Sequence, residues 1–333
     1  MNRATLIFAG LLAALVPLSL LAGRVWIDPF GSDWPQNAAL ILAELRLPRA
    51  VLAVVIGAGL GAAGAAMQGY LRNPLADPGL FGIAPMAALG AVASFWLAPL
   101  LPTALAAWSL PVMALAGAGL GMAALALIAG RTSSDAAGGA GGGVALFTLA
   151  GLMLASLAGA LTALAITLAP NPFALSEIVL WLNGALTDRS WREVAIAAPL
   201  TAAGIVVLAF AARSLDALTL GEEAARSLGL NPARLLVLLV VGVGLTVGAG
   251  VAVAGIIGFV GLVVPHLVRP LTNRLPSSLI LPSALAGACL VLVADSVVRI
   301  LPLVTELRLG IALSLIGAPF FGWLLLRMRR GRL

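Results

Sequence analysis

The chain has 333 residues, of which 62% are hydrophobic and 10% charged, and a formal net charge of +6. A soluble domain carries about 25% charged residues, so this composition excludes an ordinary soluble fold and points to a polytopic helical membrane protein. All 19 basic side chains are arginine, and there is one histidine and one cysteine, which rules out a Walker-A lysine, a Schiff-base lysine, a paired-histidine metal site and an internal disulfide.

Arg3 introduces a first span over residues 4–22, whose apolar run is longer than that of a signal peptide. Residues 24–47 are polar, carry Trp26 and Trp34 as interfacial aromatics, and lead into Arg46-Leu-Pro-Arg49. A second span covers 50–71, with Pro48 where a first helical turn tolerates it. Gly57, Gly61 and Gly64 lie on or near one of its faces and predict close helix packing, because small residues let backbones approach in lipid. The turn-dense stretch Arg72-Asn-Pro-Leu-Ala-Asp-Pro-Gly79 then interrupts the helix. Spans three, four and five are predicted over 85–101, 103–130 and 144–168. Between the last two lies a flexible loop whose glycine run, 138–143, lacks the Gly-Lys-Ser/Thr ending of a phosphate cradle. Residues 171–190 are amphipathic, with Trp181 inside and Trp191 just beyond, and fit the interface. Span six is predicted to end at Ala212.

Residues 213–234 form a charged island between two apolar runs. Carrying it through a bilayer would be costly, so it belongs in water, as a plain loop or as a docking element. Gly221 with Glu222 and Glu223 starts a short helix, placing carboxylates at the positive end of its dipole. Gly229 stops that helix, and Asn231-Pro232 opens span seven, which carries Gly242, Gly244, Gly248 and Gly250. Residues 258–268, ending in Pro265-His266, are too short to cross alone and predict a broken or half helix. Spans nine and ten follow over 278–298 and 309–326. The expectation is an all-α chain of about ten membrane segments forming one transmembrane domain over 1–333. With the N-terminus inside, twelve arginines lie inside and seven outside, which favours both termini and the charged island on the cytoplasmic side. The same placement explains the basic charge by topology, with lipid rather than nucleic acid as the partner. The outer arginines still need a cause, and docking is one.

Six stretches together resemble one family: Leu45-Arg-Leu-Pro-Arg49, Gly64-Ala-Ala-Met-Gln-Gly69, Arg72 to Gly79, Gly221-Glu-Glu-Ala-Ala-Arg-Ser-Leu-Gly229, Gly258-Phe-Val-Gly-Leu-Val-Val-Pro-His266 and Gly317-Ala-Pro-Phe-Phe321. Their order and spacing are similar to those of the permease subunits of ATP-binding-cassette importers for iron-siderophores, haem and cobalamin, the FecCD-like permeases. The resemblance implies a type II importer permease of ten spans in a bacterial inner membrane, paired as a homodimer or close heterodimer. Two ATPase subunits would dock inside and a soluble substrate-binding protein outside. It places ATPase docking on Gly221, Glu222, Glu223, Ala224, Arg226, Ser227, Leu228 and Gly229. It places binding-protein docking on Arg46 and Arg49, which Arg299 joins through the topology, because arginine meets carboxylate through two parallel hydrogen bonds. It lines the pathway with span five and the 171–191 region, where Thr148, Ser156, Thr162 and Thr167 are mild polar groups.

Four side chains have competing readings. His266 is read as a helix-end histidine bonded to backbone rather than a haem or metal ligand, because the family shares this Pro-His whatever its cargo. Asp295, the one acid predicted well inside an apolar span, could relay protons, but Arg299 lies four residues on and offers a structural pair. Arg46 and Arg49 could be snorkelling anchors rather than docking groups. An ion-coupled secondary transporter would have Asp295 alone to work with, and a membrane enzyme would lack a catalytic set. The chain is therefore expected to be no enzyme, to hold no cofactor or metal, and to take its energy from ATPase partners. Iron-siderophore is the first expectation for cargo, with cobalamin or haem as the alternative.

Overall fold

The computed structural model describes residues 3–23, 38–130, 142–169 and 171–329. The readings at Arg24, Trp26 and Trp34, most of the glycine-rich loop, and the tail from Arg330 lie outside these residues. Among the described residues all regular structure is helical. The helices are α1 (Arg3–Leu21), α2 (Ala38–Tyr70, with a π-helical turn at Ile41–Arg46), α3 (Ile83–Leu97), α4 (Thr103–Gly130) and α5 (Gly142–Thr167). They continue with α6 (Pro172–Leu182), α7 (Trp191–Leu218), α8 (Glu222–Ser227), α9 (Pro232–Ala254), α10 (Val260–Val268), α11 (Pro276–Ile300) and α12 (Leu309–Arg329).

Nine of these are long and apolar enough to cross a membrane, and α10 is the short eighth segment that the sequence predicts as a broken helix. Local chemistry fixes three of the helix starts. Ser190 and Glu193 close a reciprocal capping box on α7. Asn171 and Asn231 accept from Ala174 N and Arg234 N, at 2.8 and 3.0 Å, each ahead of a proline at the first helical position.

The α2 helix is the central post, with most of its residues buried. Its glycines explain how. A Cβ on Gly57 would lie 2.3 Å from the Gly287 carbonyl oxygen, one on Gly61 2.0 Å from that of Ser283, and one on Gly64 2.0 Å from that of Gly261. The α2 and α11 backbones thus touch at Gly57 and Gly61, and α10 seats on Gly64, as the small-residue face predicts. Gln68 adds a polar clasp: its Nε2 donates to the carbonyls of Gly261 and Leu262, and its Oε1 accepts from Arg269.

Two expectations are corrected. The α7 helix runs to Leu218, six residues beyond the predicted end. Leu215 and Leu218 keep it packed, while the Asp216 carboxylate accepts from Ser277 N at 2.8 Å at the start of α11. The predicted polar segment before span two is helical from Ala38, and α2 enters its span through the π turn.

Candidate functional site

The charged island folds as predicted. Gly221 (φ 99°) precedes α8, and Glu222 and Glu223 occupy its first turn. Gly229 (φ 88°) ends it: Gly229 N donates to Arg226 O and Leu230 N to Ala225 O, the paired bonds of a glycine helix stop. Ala225 is fully buried, while Glu223, Ala224, Arg226, Ser227, Leu228 and Gly229 face out. Leu220 is also exposed, so two leucines flank the charged face, and the sequence reading named only Leu228. The short helix α8 therefore seats on Ala225 and presents an amphipathic knob between α7 and α9. Glu222 turns inward and pairs with Arg72 just beyond the end of α2, at 3.6 Å.

At the opposite end, Arg46, Arg49 and Arg299 converge, but they point into the protein. The Arg49 guanidinium holds Asp295 through Nε at 2.9 and 3.0 Å and Nη2 at 2.8 Å, and also holds Glu306. Asp295 is shared with Arg299 at 3.1 Å, the pairing expected from their spacing. Arg299 Nη2 also donates to Ser19 Oγ at 2.8 Å. Arg46 Nη1 donates to Leu20 O and Leu21 O, at 2.8 and 2.9 Å, and so satisfies carbonyls at the end of α1. The Arg49 side chain is 11% exposed and that of Arg299 7%. These arginines turn into the protein, where they tie α1, α2, α11 and the loop before α12. The carboxylate of Asp295, clamped between two guanidiniums, is likewise spoken for, which leaves the proton-relay reading without support. Replacing Asp295 with alanine would take the carboxylate partner from Arg299 and leave Arg49 with Glu306 alone in a buried site. The expected cost is about 3–5 kcal/mol, read as a lowered unfolding temperature of the detergent-solubilised protein.

The break between α9 and α10 lies in the bundle interior. Gly255 (φ 76°) and Phe259 (φ 66°) are the first and last of five non-helical positions, 255–259. Beside it, Ala185 N donates to Ala254 O, the last carbonyl of α9, at 2.8 Å, and Gly310 N in the first turn of α12 donates to Gly184 O at 3.1 Å. Asp77 bonds Gly79 N at 2.7 Å and the backbone of Phe259, which fixes the α2–α3 connection to the start of α10. Burial pushes its carboxyl up from its ordinary value while these backbone donors pull it down. A cavity of about 90 Å³ opens here, lined by Asp77, Ile56, Leu60, Val251 and residues 255–258. The sequence reading took this stretch only as an interruption of the helix; the Asp-Pro-Gly spacing, the cap of a tight turn, was the available signal for Asp77. His266 is also corrected. Its ring packs edge-on against Phe320, at 6.0 Å between centroids, and Nδ1 is buried without a hydrogen-bond partner among the described residues.

Along α5, Ser156 and Thr167 are exposed, and Thr148 and Thr162 are half-buried. Thr148 and Thr167 turn their hydroxyls to their own helix, at Val144 O and Ala163 O. The outward face is otherwise apolar, with Leu149, Leu152, Leu157 and Leu164 exposed.

Comparison with known proteins follows the same plan over nearly the full length. The chain is 38% identical over 292 residues to the hemin transport system permease of Yersinia pestis, covering 88% of this chain and 85% of that protein. It is 36% identical to the Fe(3+) dicitrate transport system permease FecD of Escherichia coli, covering 99% and 100%. It is also 36% identical to the vitamin B12 import system permease of Vibrio cholerae, covering 98% and 94%. A solved structure described as an inward-facing conformation of a metal-chelate type ABC transporter superposes with a TM-score of 0.85 at 28% identity, covering 97% and 98%. Residues 6–327 match the FecCD transport family, and with relatives this similar end to end, the chain is a multi-pass membrane protein that belongs to that family.

Proposed function

We propose that this chain is the membrane permease subunit of an ATP-binding-cassette importer that carries an iron-siderophore chelate across a bacterial inner membrane. The observation that carries the reading is α8, a polar helix held out from the bundle between two spans of a chain with no Walker-A lysine. Energy must then arrive by contact, and α8 is the contact. The arginine bias supports placing α8 and both termini in the cytoplasm. A second copy of the chain fits the exposed apolar face of α12, where Leu315 and Ile316 are 66% and 65% exposed. The weakly polar face of α5, with Ser156 and Thr167 outward, suits a pathway that passes a large chelate without holding it.

Docking of a soluble substrate-binding protein belongs to the end opposite α8. Arg46, Arg49 and Arg299 serve it by fixing its shape, and the loop after α11, with Val304 98% exposed, is the part a partner would touch. A haem or cobalamin cargo is the second reading, favoured by the relatives named for hemin and vitamin B12.

Co-expressing the tagged chain with its genomic neighbours tests the importer reading: an ATPase subunit should co-elute, and a chain that elutes alone would overturn it. Growth of a deletion strain on single iron-siderophore, haem or cobalamin sources assigns the cargo, and loss of growth on cobalamin alone would replace the siderophore reading.

A further inference from the structure

We propose that Arg72, Tyr70, Phe81 and Phe147 form the joint through which movement of α8 reaches α5. The inference rests on the reading of α8 as the ATPase contact and goes beyond it by naming the onward route. Glu222 of α8 pairs with Arg72, which sits in the left-handed region (φ 49°) two residues past the end of α2. Tyr70, the last residue of α2, meets Phe147 of α5 edge-on at 5.3 Å between centroids. Phe81, in the 3-10 turn Pro78–Phe81 ahead of α3, also packs on this ring, at 5.3 Å between centroids and tilted by 32°. Phe147 is 1% exposed.

The contact continues along one stripe of α5. A Cβ on Gly151, four residues on from Phe147, would lie 2.9 Å from the Phe81 Cα, and one on Gly82 would lie 2.7 Å from the Leu154 Cβ. Phe147, Gly151 and Leu154 therefore seat α5 on the α2–α3 connection, while the opposite face of α5 is exposed. A packed core of this kind does not deform continuously. A shift of α8 that drags Arg72 must move the connection, and the stripe of α5 has no slack with which to stay behind. These are positioning residues: none of them needs to touch cargo or nucleotide.

The test uses the complex with its ATPase subunits in lipid nanodiscs. In a Cys289→Ser background, which removes the one native cysteine, Ser156→Cys places a thiol on the exposed face of α5. Its rate of reaction with a maleimide is measured with and without ATP plus vanadate. The background should show an ATP-dependent change in rate. Phe147→Leu should lose most of that change while still binding the ATPase, and Tyr70→Phe, which keeps the ring, should retain it. Arg72→Ala provides a second test outside the core, since its side chain is 40% exposed, and it should also lose most of the change. If Phe147→Leu and Arg72→Ala both keep the full ATP-dependent change with ATPase bound, the joint is wrong and the α8 reading stands. If the background chain binds no ATPase, or ATP leaves its rate unaltered, the α8 reading fails and takes the joint with it.

Discussion

Charge reversal on α8 is expected to abolish substrate-stimulated ATP hydrolysis by the assembled complex. The two acids of its first turn are not equivalent. Glu222 is half-buried and held by Arg72, so Glu222→Arg sets two guanidiniums against each other and disturbs the seat of the helix. Glu223 faces out, and its side chain carries no such bond among the described residues, so Glu223→Arg changes the presented surface with little cost to the bundle. Its cost within the helix is the loss of a favourable dipole interaction, about 0.3–1 kcal/mol. The double reversal should remove stimulation entirely, and the single Glu223→Arg most of it, with the unfolding temperature of the single variant unchanged. Exposed charges set register and encounter between surfaces more than they add affinity. The loss should therefore be accompanied by slower binding of the ATPase at low salt. Stimulation equal to wild type in both variants would move the energy contact away from α8.

The second large effect is on folding. Gly61→Leu is expected to abolish the yield of monodisperse protein. Overpacking a core costs about 1–3 kcal/mol where side chains can move aside. Here the obstacle is backbone: the Ser283 carbonyl oxygen 2.0 Å from the new Cβ, with the Gly57–Gly287 contact at 2.3 Å one turn away on the same face. Relief requires α2 and α11 to separate along their contact, and α2 is the post on which α7, α9, α10 and α11 pack. Gly61→Ala should already lower the unfolding temperature. Gly119→Leu is the control, because a Cβ there meets nothing within 4 Å. Equal yields of the Gly61 and Gly119 variants would show that the two helices do not touch as described.

The helical class, the spans and α8 were legible in the sequence because each is set by interactions among near neighbours in the chain. Runs of apolar residues report the bilayer thickness, and Asn-Pro and Gly signals report the backbone groups that a helix end leaves open. The boundaries of α8 were correct for that reason: Gly221 and Gly229 take φ values of 99° and 88°, which side chains disfavour. Gly57, Gly61 and Gly64 were legible as a packing face, although not their partners. Span six was cut short at Arg213 because hydropathy cannot see that Asp216 finds Ser277, 61 residues on.

The arginines show the limit most clearly. By topology alone Arg46, Arg49 and Arg299 are charges at a membrane surface, free to snorkel or to dock. Arg49 instead reaches Asp295, 246 residues away, and Arg46 reaches carbonyls 25 and 26 residues earlier. Asp77 likewise is held by a partner far along the chain, the backbone of Phe259. The sequence by itself determined which segments enter the membrane and where a polar helix must stay out. Only the tertiary structure decided which way the charged side chains at their ends point, because a charge is oriented by whichever partner spares it desolvation, and that partner is brought close by folding rather than by spacing.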